Sequence, residues 1–372
     1  MKDDLFDVAV IGAGPAGSAA AITLAAKGRR VLLLERDPFP RSTPCAGWLS
    51  TRAVDILNKW GVKTGRLLNE PFAEVTLYNA DLSKSAKPLL ADPVGYLVDR
   101  ARFDQALVKI AVKNKAVLVQ GCAVADLRLN ESSVKIQLAD GREFESRLLL
   151  LAPGRASPLL DRVRLAKGSD ERPVWAAHVF EDRSPTSKRT RPTVGVVFGI
   201  DGGESFGFCT VSRSRVSVSV TWKGKPAQTG EMLVGLCQAA YRNQVVPVDL
   251  SEQAKAAPVV PTPSAAALDL DSHVCKHTLL IGDAGGFVSA VSNEGIYPAI
   301  WSARIAAEVI HEALDATPSQ DVLMTFDSRW RVEMAEHIRS PHTDIRFLLP
   351  LIFTNQPMAD RMGAAFFFGE NI

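Results

Sequence analysis

The stretch from Asp7 to Ala21, DVAVIGAGPAGSAAA, puts Gly12, Gly14 and Gly17 within six residues, behind a β-branched run and ahead of an alanine-rich one. Asp7 to Ile11 has strand character, and Ser18 to Lys27 is rich in the best helix former, so the glycines fall where a strand turns into a helix. At such a junction Gly12 permits a tight turn, the bare backbone of Gly14 admits a pyrophosphate, and Gly17 lets the helix close on the strand. Pro15 and Ala16 complete the turn. The helix that follows offers unpaired N–H groups and a positive dipole end to phosphate.

Gly28 breaks the helix, and RVLLLER (Arg30 to Arg36) reads as the second strand of a βαβ unit. Glu35 closes that strand 18 residues beyond Gly17, where a ribose-binding acid is expected. A glycine-rich loop without a ligand is the alternative, and the complete strand, helix, strand and acid argue against it. The pattern does not separate NAD from FAD. A second strand-to-helix junction lies far along the chain, in TLLIGDAGGFVSAVSNEGIYPAIWSARIAAEVI (Thr278 to Ile310). There Gly282 and Asp283 follow the strand, and the Asp283 carboxylate could accept hydrogen bonds from a cofactor hydroxyl. Asn293-Glu294-Gly295-Ile296 opens a helix whose positive end suits an electron-rich group, against the alternative of an ordinary capped junction.

The 372 residues suffice for two cores, or one core interrupted by a second. Lys and Arg total 43 against 41 for Asp and Glu, too even a balance for a nucleic-acid surface, so no nucleic-acid partner is expected. Five scattered cysteines (Cys45, Cys122, Cys209, Cys237, Cys275) without a Cys-x-x-Cys pair argue against a disulfide framework or structural zinc and fit a reducing cytoplasm. No run reaches the ~18 apolar residues of a spanning helix. Acidic Asp3, Asp4 and Asp7 oppose a signal peptide, so the chain is read as uncleaved and cytoplasmic.

Between the two junctions the texture changes. A Pro- and Gly-containing loop (Pro38 to Ser50) leads into a helix from Thr51 to Trp60 that Gly61 ends. Tyr96 to Val112 reads as a short strand running into an amphipathic helix with Phe103, Leu107, Ile110 and Ala111 on one face. Segments around Val117, Val134 to Leu138 and Phe144, turning at Asp140-Gly141, suggest an antiparallel meander before the buried strand RLLLL. Val174 to Phe180, Val194 to Phe198, Phe206 to Val211 and RVSVSVTW read as strands, the last with Val216, Val218 and Val220 on one face and Ser217, Ser219 and Thr221 on the other. A helix around Glu231 to Tyr241 and a proline-rich crossing follow. The expected fold is α/β: a Rossmann-like cofactor domain (1–172, with an excursion near 71–98, resuming over 264–330), an inserted, mainly antiparallel substrate domain (173–263) and a C-terminal helical region (331–372).

Four segments give the chain a family likeness: GAGPAG with Glu35; PCAGWLSTRAVDILNKWGV; RARFDQALVKIA; and GDAGGFVSAVSNEGI. They resemble the FAD-dependent aromatic hydroxylase superfamily and, within it, most closely the geranylgeranyl reductase family. The resemblance implies that Ala16, Glu35 and Arg36 hold the adenosine end of FAD, with Arg100 near its pyrophosphate and the backbone around Val124 near the adenine. It puts Cys45, Ala46, Gly47 and Leu49 beside the flavin, Asp283 at the ribityl or diphosphate region, and Gly295 and Ile296 under the pyrimidine side of the ring. A helix N-terminus there stabilises an anionic reduced flavin. The sequence departs from the pattern at Pro153-Gly154, where the superfamily has Asp-Gly, and near SFGFCTVSRSRVSV, where the reductases' aromatic-proline signature is missing.

Cys45 is the candidate catalytic residue, as a proton donor, with a space-filling role as the alternative. His273 and His277 flank Cys275 without a third cluster, so no metal is expected. His178 could be an acid or base facing the active site, or a satisfied structural histidine. IRFLLPLIFTNQP and Phe366-Phe367-Phe368 read as a helical lid on the core, the alternative being a greasy entrance or peripheral membrane contact. The whole implies a flavoenzyme that moves hydride from reduced FAD to an alkene of a bulky apolar, prenyl-like substrate, with NADPH, if it is the donor, bound transiently. The rivals are a flavin-dependent monooxygenase and a non-catalytic flavin carrier.

Overall fold

The computed structural model describes residues 5–60, 68, 70–154, 157–163, 165, 174–183, 191–200, 205–262, 265–340 and 345–370. Two large sheets organise these residues. The first has eight strands, ordered Val274–Cys275, Thr278–Leu280, Glu143–Leu151, Leu5–Ile11, Val31–Glu35 and Val117–Gln120, with Val124–Leu129 and Val134–Leu138 branching off Glu143–Leu151. From Thr278–Leu280 to Val117–Gln120 its neighbours run parallel. Parallel strands are covered on both faces and read as continuous apolar runs. Val8, Val10, Leu33, Leu148, Leu150 and Leu279 pack in the core that includes the helices Pro15–Ala26, Arg100–Lys113 and Ile296–Ala313. Ala9, Ile11, Leu32, Leu34, Leu149 and Leu151 face the meander on the other side.

The meander differs from its expected form at one strand. Val117–Gln120 pairs in parallel with Val31–Glu35 and forms the edge of the main sheet, while Val124–Leu129, Val134–Leu138 and the start of Glu143–Leu151 make the antiparallel part. Four residues are too few to reveal by alternation which sheet they join. The turn at Asp140-Gly141 is as expected, with Gly141 at φ +88°.

The second sheet has seven strands, ordered Val259–Pro261, Val174–Asp182, Arg215–Lys223, Phe206–Val211, Thr193–Phe198, Glu74–Tyr78 and Ser85–Ala86. Val216, Val218 and Val220 are buried with Leu233, Leu236 and Cys237 of the helix Pro226–Arg242. The opposite face is covered too, since Ser217 and Thr210 are buried and hydrogen-bond each other at 2.8 Å. A small three-stranded sheet, Trp48–Ser50, Gly95–Leu97 and Pro71–Phe72, sits between the large ones. Four helices close the chain: Ser319–Met324, Phe326–Ile338, Ile345–Ile352 and Gln356–Phe368. The sequence boundaries drawn at 172/173 and 263/264, and the helix stop at Gly61, lie outside the described residues. Among the described residues no helix is long and apolar enough to cross a membrane.

Phe366 and Phe367 are buried against Trp48, Phe72, Phe198, Phe206 and Phe208. The C-terminal aromatics thus fill a core, whereas Phe347 and Leu351 on Ile345–Ile352 stay exposed.

Candidate active site

The two glycine junctions meet. Gly12 stands at φ +95°, its N–H donating to Leu34 O at 2.8 Å, and a Cβ there would drive into the carbonyl of Ala152 on the neighbouring strand. Gly17 is bare because the backbone of Gly12 lies against it. Gly282 touches the same helix, since a Cβ on it would lie 2.8 Å from Ala16 Cβ. Asp283 follows, its Oδ1 3.2 Å from where Gly295 would carry a Cβ. Gly12, Ala16, Gly282, Asp283 and Gly295 therefore form one continuous track. Pro153 lies beside Gly12 at the start of that track.

Two helices begin on it, Pro15–Ala26 and Ile296–Ala313, and neither has a side-chain cap or an acid in its first turn. Elsewhere Ser50, Asp99 and Asn355 cap the helices they precede. Uncapped N-termini leave donors and positive dipole ends for an anion. Pro15 is the first residue of its helix. Gly14 is the open point, a Cβ there meeting only Arg41 Nη2 at 3.5 Å.

Sequence reasoning missed Arg41 and Asp104. Asp104 is fully buried and binds two guanidiniums, Arg100 through bonds of 3.0 and 3.1 Å and Arg41 Nη2 at 3.3 Å. Burial alone would lower the pKa of Arg100, but Asp104 and then the Cys45 thiol reverse this and hold it above its ordinary value. Arg41 reaches over to Glu35 at 3.7 Å, and its Nε is buried without a hydrogen-bond partner among the described residues. Glu35 meanwhile accepts the Ala13 N–H at 2.9 Å, so its carboxylate stands at the glycine turn. A buried guanidinium nitrogen that has an ion-pair neighbour but no hydrogen bond, beside an uncapped helix and an open glycine, fits the diphosphate of a dinucleotide.

The remaining sequence candidates divide. Cys45 Sγ accepts the Gly47 N–H at 3.4 Å and meets Arg100. Gly47 sits at φ +74°, and its carbonyl accepts the Val98 N–H at 2.8 Å, fastening the loop to the strand before Arg100. Ala46 is half-buried, whereas the side chain of Leu49 is fully buried in the core and its backbone pairs with Tyr96 in the small sheet. Val124 opens its strand four residues past Gln120, the residue paired with Glu35. Arg36 turns outward, its side chain 76% exposed and paired with Asp37. Its guanidinium is not brought to the track.

His273 bonds Gly285 O and His277 bonds Glu131 O, both at 2.8 Å. Cys209 and Cys237 are buried thiols pushed up to about 12, chiefly by desolvation. Cys122 and Cys275 are partly buried. A cleft of about 520 Å³ lined by Phe6, Arg30, Ile136 and Phe144 lies at the other end of strand Leu5–Ile11 and shares no residue with the track.

A buried acid-base pair backs the second helix. Glu294 has Oε1 unpartnered among the described residues, and its Oε2 lies 3.9 Å from His337 Nε2, also unpartnered. Burial pushes the Glu294 carboxyl up to about 7 against the opposing pull of Ser50 and Arg52. Burial, then Arg52, pushes His337 down to about 4. The contribution of Glu294 is present below the unfolded value of 4.5 and is lost as pH rises through 7. That of His337 runs the other way, growing from pH 4 to 6.5. Glu294→Gln removes only the first, so its stability relative to the parent should rise by about 3 kcal/mol between pH 4.5 and 7. Urea unfolding of both proteins across that range measures the difference.

The family model for an FAD binding domain matches residues 6–338. Menaquinone reductase of Mycobacterium tuberculosis (strain H37Rv) is 29% identical over 332 residues, covering 83% of this chain and 77% of that protein. Digeranylgeranylglycerophospholipid reductase 1 of Methanopyrus kandleri is 26% identical over 346 residues, covering 89% and 87%. Among solved structures, a geranylgeranyl bacteriochlorophyll reductase-like protein of Thermoplasma acidophilum aligns with a TM-score of 0.69 at 16% identity, over 89% of this chain and 84% of that one. A flavin-dependent brominase aligns at 0.67 and 18% identity, over 97% and 89%.

Proposed function

The chain belongs to the family of FAD binding domains and is an FAD-dependent oxidoreductase, and on that premise we propose that it reduces an alkene of a bulky, prenyl-like substrate. When bound, reduced FAD would supply the hydride for one alkene carbon. The observation that carries the reading is the setting of Cys45. Its Sγ accepts the Gly47 N–H and meets the Arg100 guanidinium, contacts that would hold the thiol in place to pass its proton to the other alkene carbon.

Residues of the chain divide the remaining work. Arg41, Arg100 and the uncapped helix Pro15–Ala26 would bind the diphosphate, Glu35 the ribose, Asp283 a hydroxyl further along, and the N-terminus of Ile296–Ala313 the electron-rich side of the ring. Trp48, three residues after Cys45, is buried in the aromatic core with Phe208 and Phe366, which anchors the loop on that side. Both relatives named above are reductases by name, one of menaquinone and one of a digeranylgeranyl lipid. The exposed Phe347 and Leu351 support a peripheral contact with a lipid surface, where such substrates reside.

Photoreduced holoenzyme mixed anaerobically with prenyl substrates should reoxidise its flavin and yield the saturated product. Cys45→Ala should keep its flavin and lose about a hundredfold in that rate, the usual worth of a positioned acid. Flavin that stays reduced with every prenyl compound tried would remove the reading.

A further inference from the structure

His178 lies in the seven-stranded sheet, where the register aligns it with Ser219, Phe208, Val196 and Leu77 in one row on one face. Phe208 in that row stacks on Trp48, one residue after Gly47. His178 is two strands away, about 10 Å along the row. The next row begins with Phe180, whose ring carries the Arg215 guanidinium at 4.0 Å. Arg215 in turn bonds Asp99 at 3.0 Å, the residue before Arg100. The face holding His178 is thus pinned to the cofactor half on both flanks, by Trp48 and by Asp99.

On this face the imidazole is stacked with Phe180 at 5.5 Å, and its Nε2 is buried with no hydrogen-bond partner among the described residues. Buried ring nitrogens are rarely left unpaired, because the lost bond to water is not replaced. Ser217, Ser219 and Thr221 share the face with it, and the charged side chain of Arg215 is engaged by both Asp182 and Asp99. Burial and then Arg215 push the imidazole down to about 4, so the ring is neutral in ordinary buffers.

We propose that His178 is a specificity-determining residue that hydrogen-bonds an uncharged oxygen of the substrate head, a ring carbonyl or phenolic hydroxyl. The proposal rests on the prenyl-reductase reading and narrows its substrate to prenylated quinones or phenols. Arg215, which shares the face, already pairs with Asp182 and Asp99 and so offers an anionic phosphate head no free charge. A neutral imidazole discriminates by pairing with a neutral oxygen and leaving a phosphate unmatched.

The test titrates oxidised, FAD-loaded protein with 2-methyl-1,4-naphthoquinone, read from the flavin absorbance, and separately with farnesyl diphosphate. His178→Leu should weaken naphthoquinone binding about tenfold, as loss of one neutral hydrogen bond does, and leave farnesyl diphosphate unchanged. His178→Gln, which keeps a donor and an acceptor, should restore most of the affinity. Equal naphthoquinone affinity in the parent and His178→Leu, weakening confined to farnesyl diphosphate, or no naphthoquinone binding by the parent overturns the proposal. Failure of both variants to fold with FAD also overturns it, by assigning His178 to the core. Because this titration needs no turnover, a loss of alkene reduction with naphthoquinone binding intact sinks the reaction and not the anchor.

Discussion

Replacing Gly14 by valine is expected to give a protein that folds normally and carries no flavin colour. Its backbone, at φ −70° and ψ −171°, suits any residue, and the nearest atom to a new Cβ is Arg41 Nη2 at 3.5 Å. The side chain would instead fill the space through which a pyrophosphate reaches the helix N-terminus. Losing that approach costs ~3 kcal/mol or more of binding, a hundredfold in affinity. Flavin content after desalting and a thermal melt of the apoprotein measure the two halves of the result. Gly12→Val provides the contrast, because the carbonyl of Ala152 and φ +95° penalise the fold itself. A yellow Gly14→Val protein with unchanged FAD affinity would disconnect the glycine turn from the cofactor.

Phe366→Ala should be among the most damaging single changes outside the cofactor track, at about 4 kcal/mol, the usual cost of emptying a buried aromatic site. The ring is 1% exposed and lies within 5.0–6.4 Å of Phe367, Phe206, Phe198, Trp48 and Phe208. Trp48 loses one of its two stacking partners in the variant and follows Gly47 directly, so the damage should reach the flavin loop. Urea unfolding gives the energy, and the emission of bound flavin reports the loop. A loss below 1 kcal/mol would mean that the neighbouring rings close the gap.

The parts of this molecule that could be read from the chain are those in which local pattern and global role coincide. Gly12, Gly14, Gly17 and Glu35 belong to one contiguous βαβ unit, and the second junction repeats the same logic at Gly282, Asp283 and Gly295. Alternation in RVSVSVTW likewise identified the face that meets the helix Pro226–Arg242. Asp104 was hidden because it sits on a helix where a carboxylate ordinarily faces water. Only Arg41, 63 positions earlier in the chain, and Arg100 explain its burial. Arg41 itself stands in a proline-rich loop with no periodicity to read. The pairing of Glu294 with His337 joins residues 43 positions apart, and the stack of Phe366 on Trp48 spans most of the chain. Such contacts depend on tertiary closure, which no window of sequence contains.

The order of strands in the main sheet also bears on how the polypeptide is made. Translation delivers Glu143–Leu151 well before Thr278–Leu280, the short strand that pairs with its Leu149 to Leu151 end. Throughout that interval an emerging chain presents an apolar, unpaired strand edge, the kind of surface that chaperones shield and that otherwise sticks to its neighbours. Asp283 and Gly295, the second half of the glycine track, leave the ribosome later still than Thr278–Leu280, so a ligand seated on that track cannot relieve the exposure early.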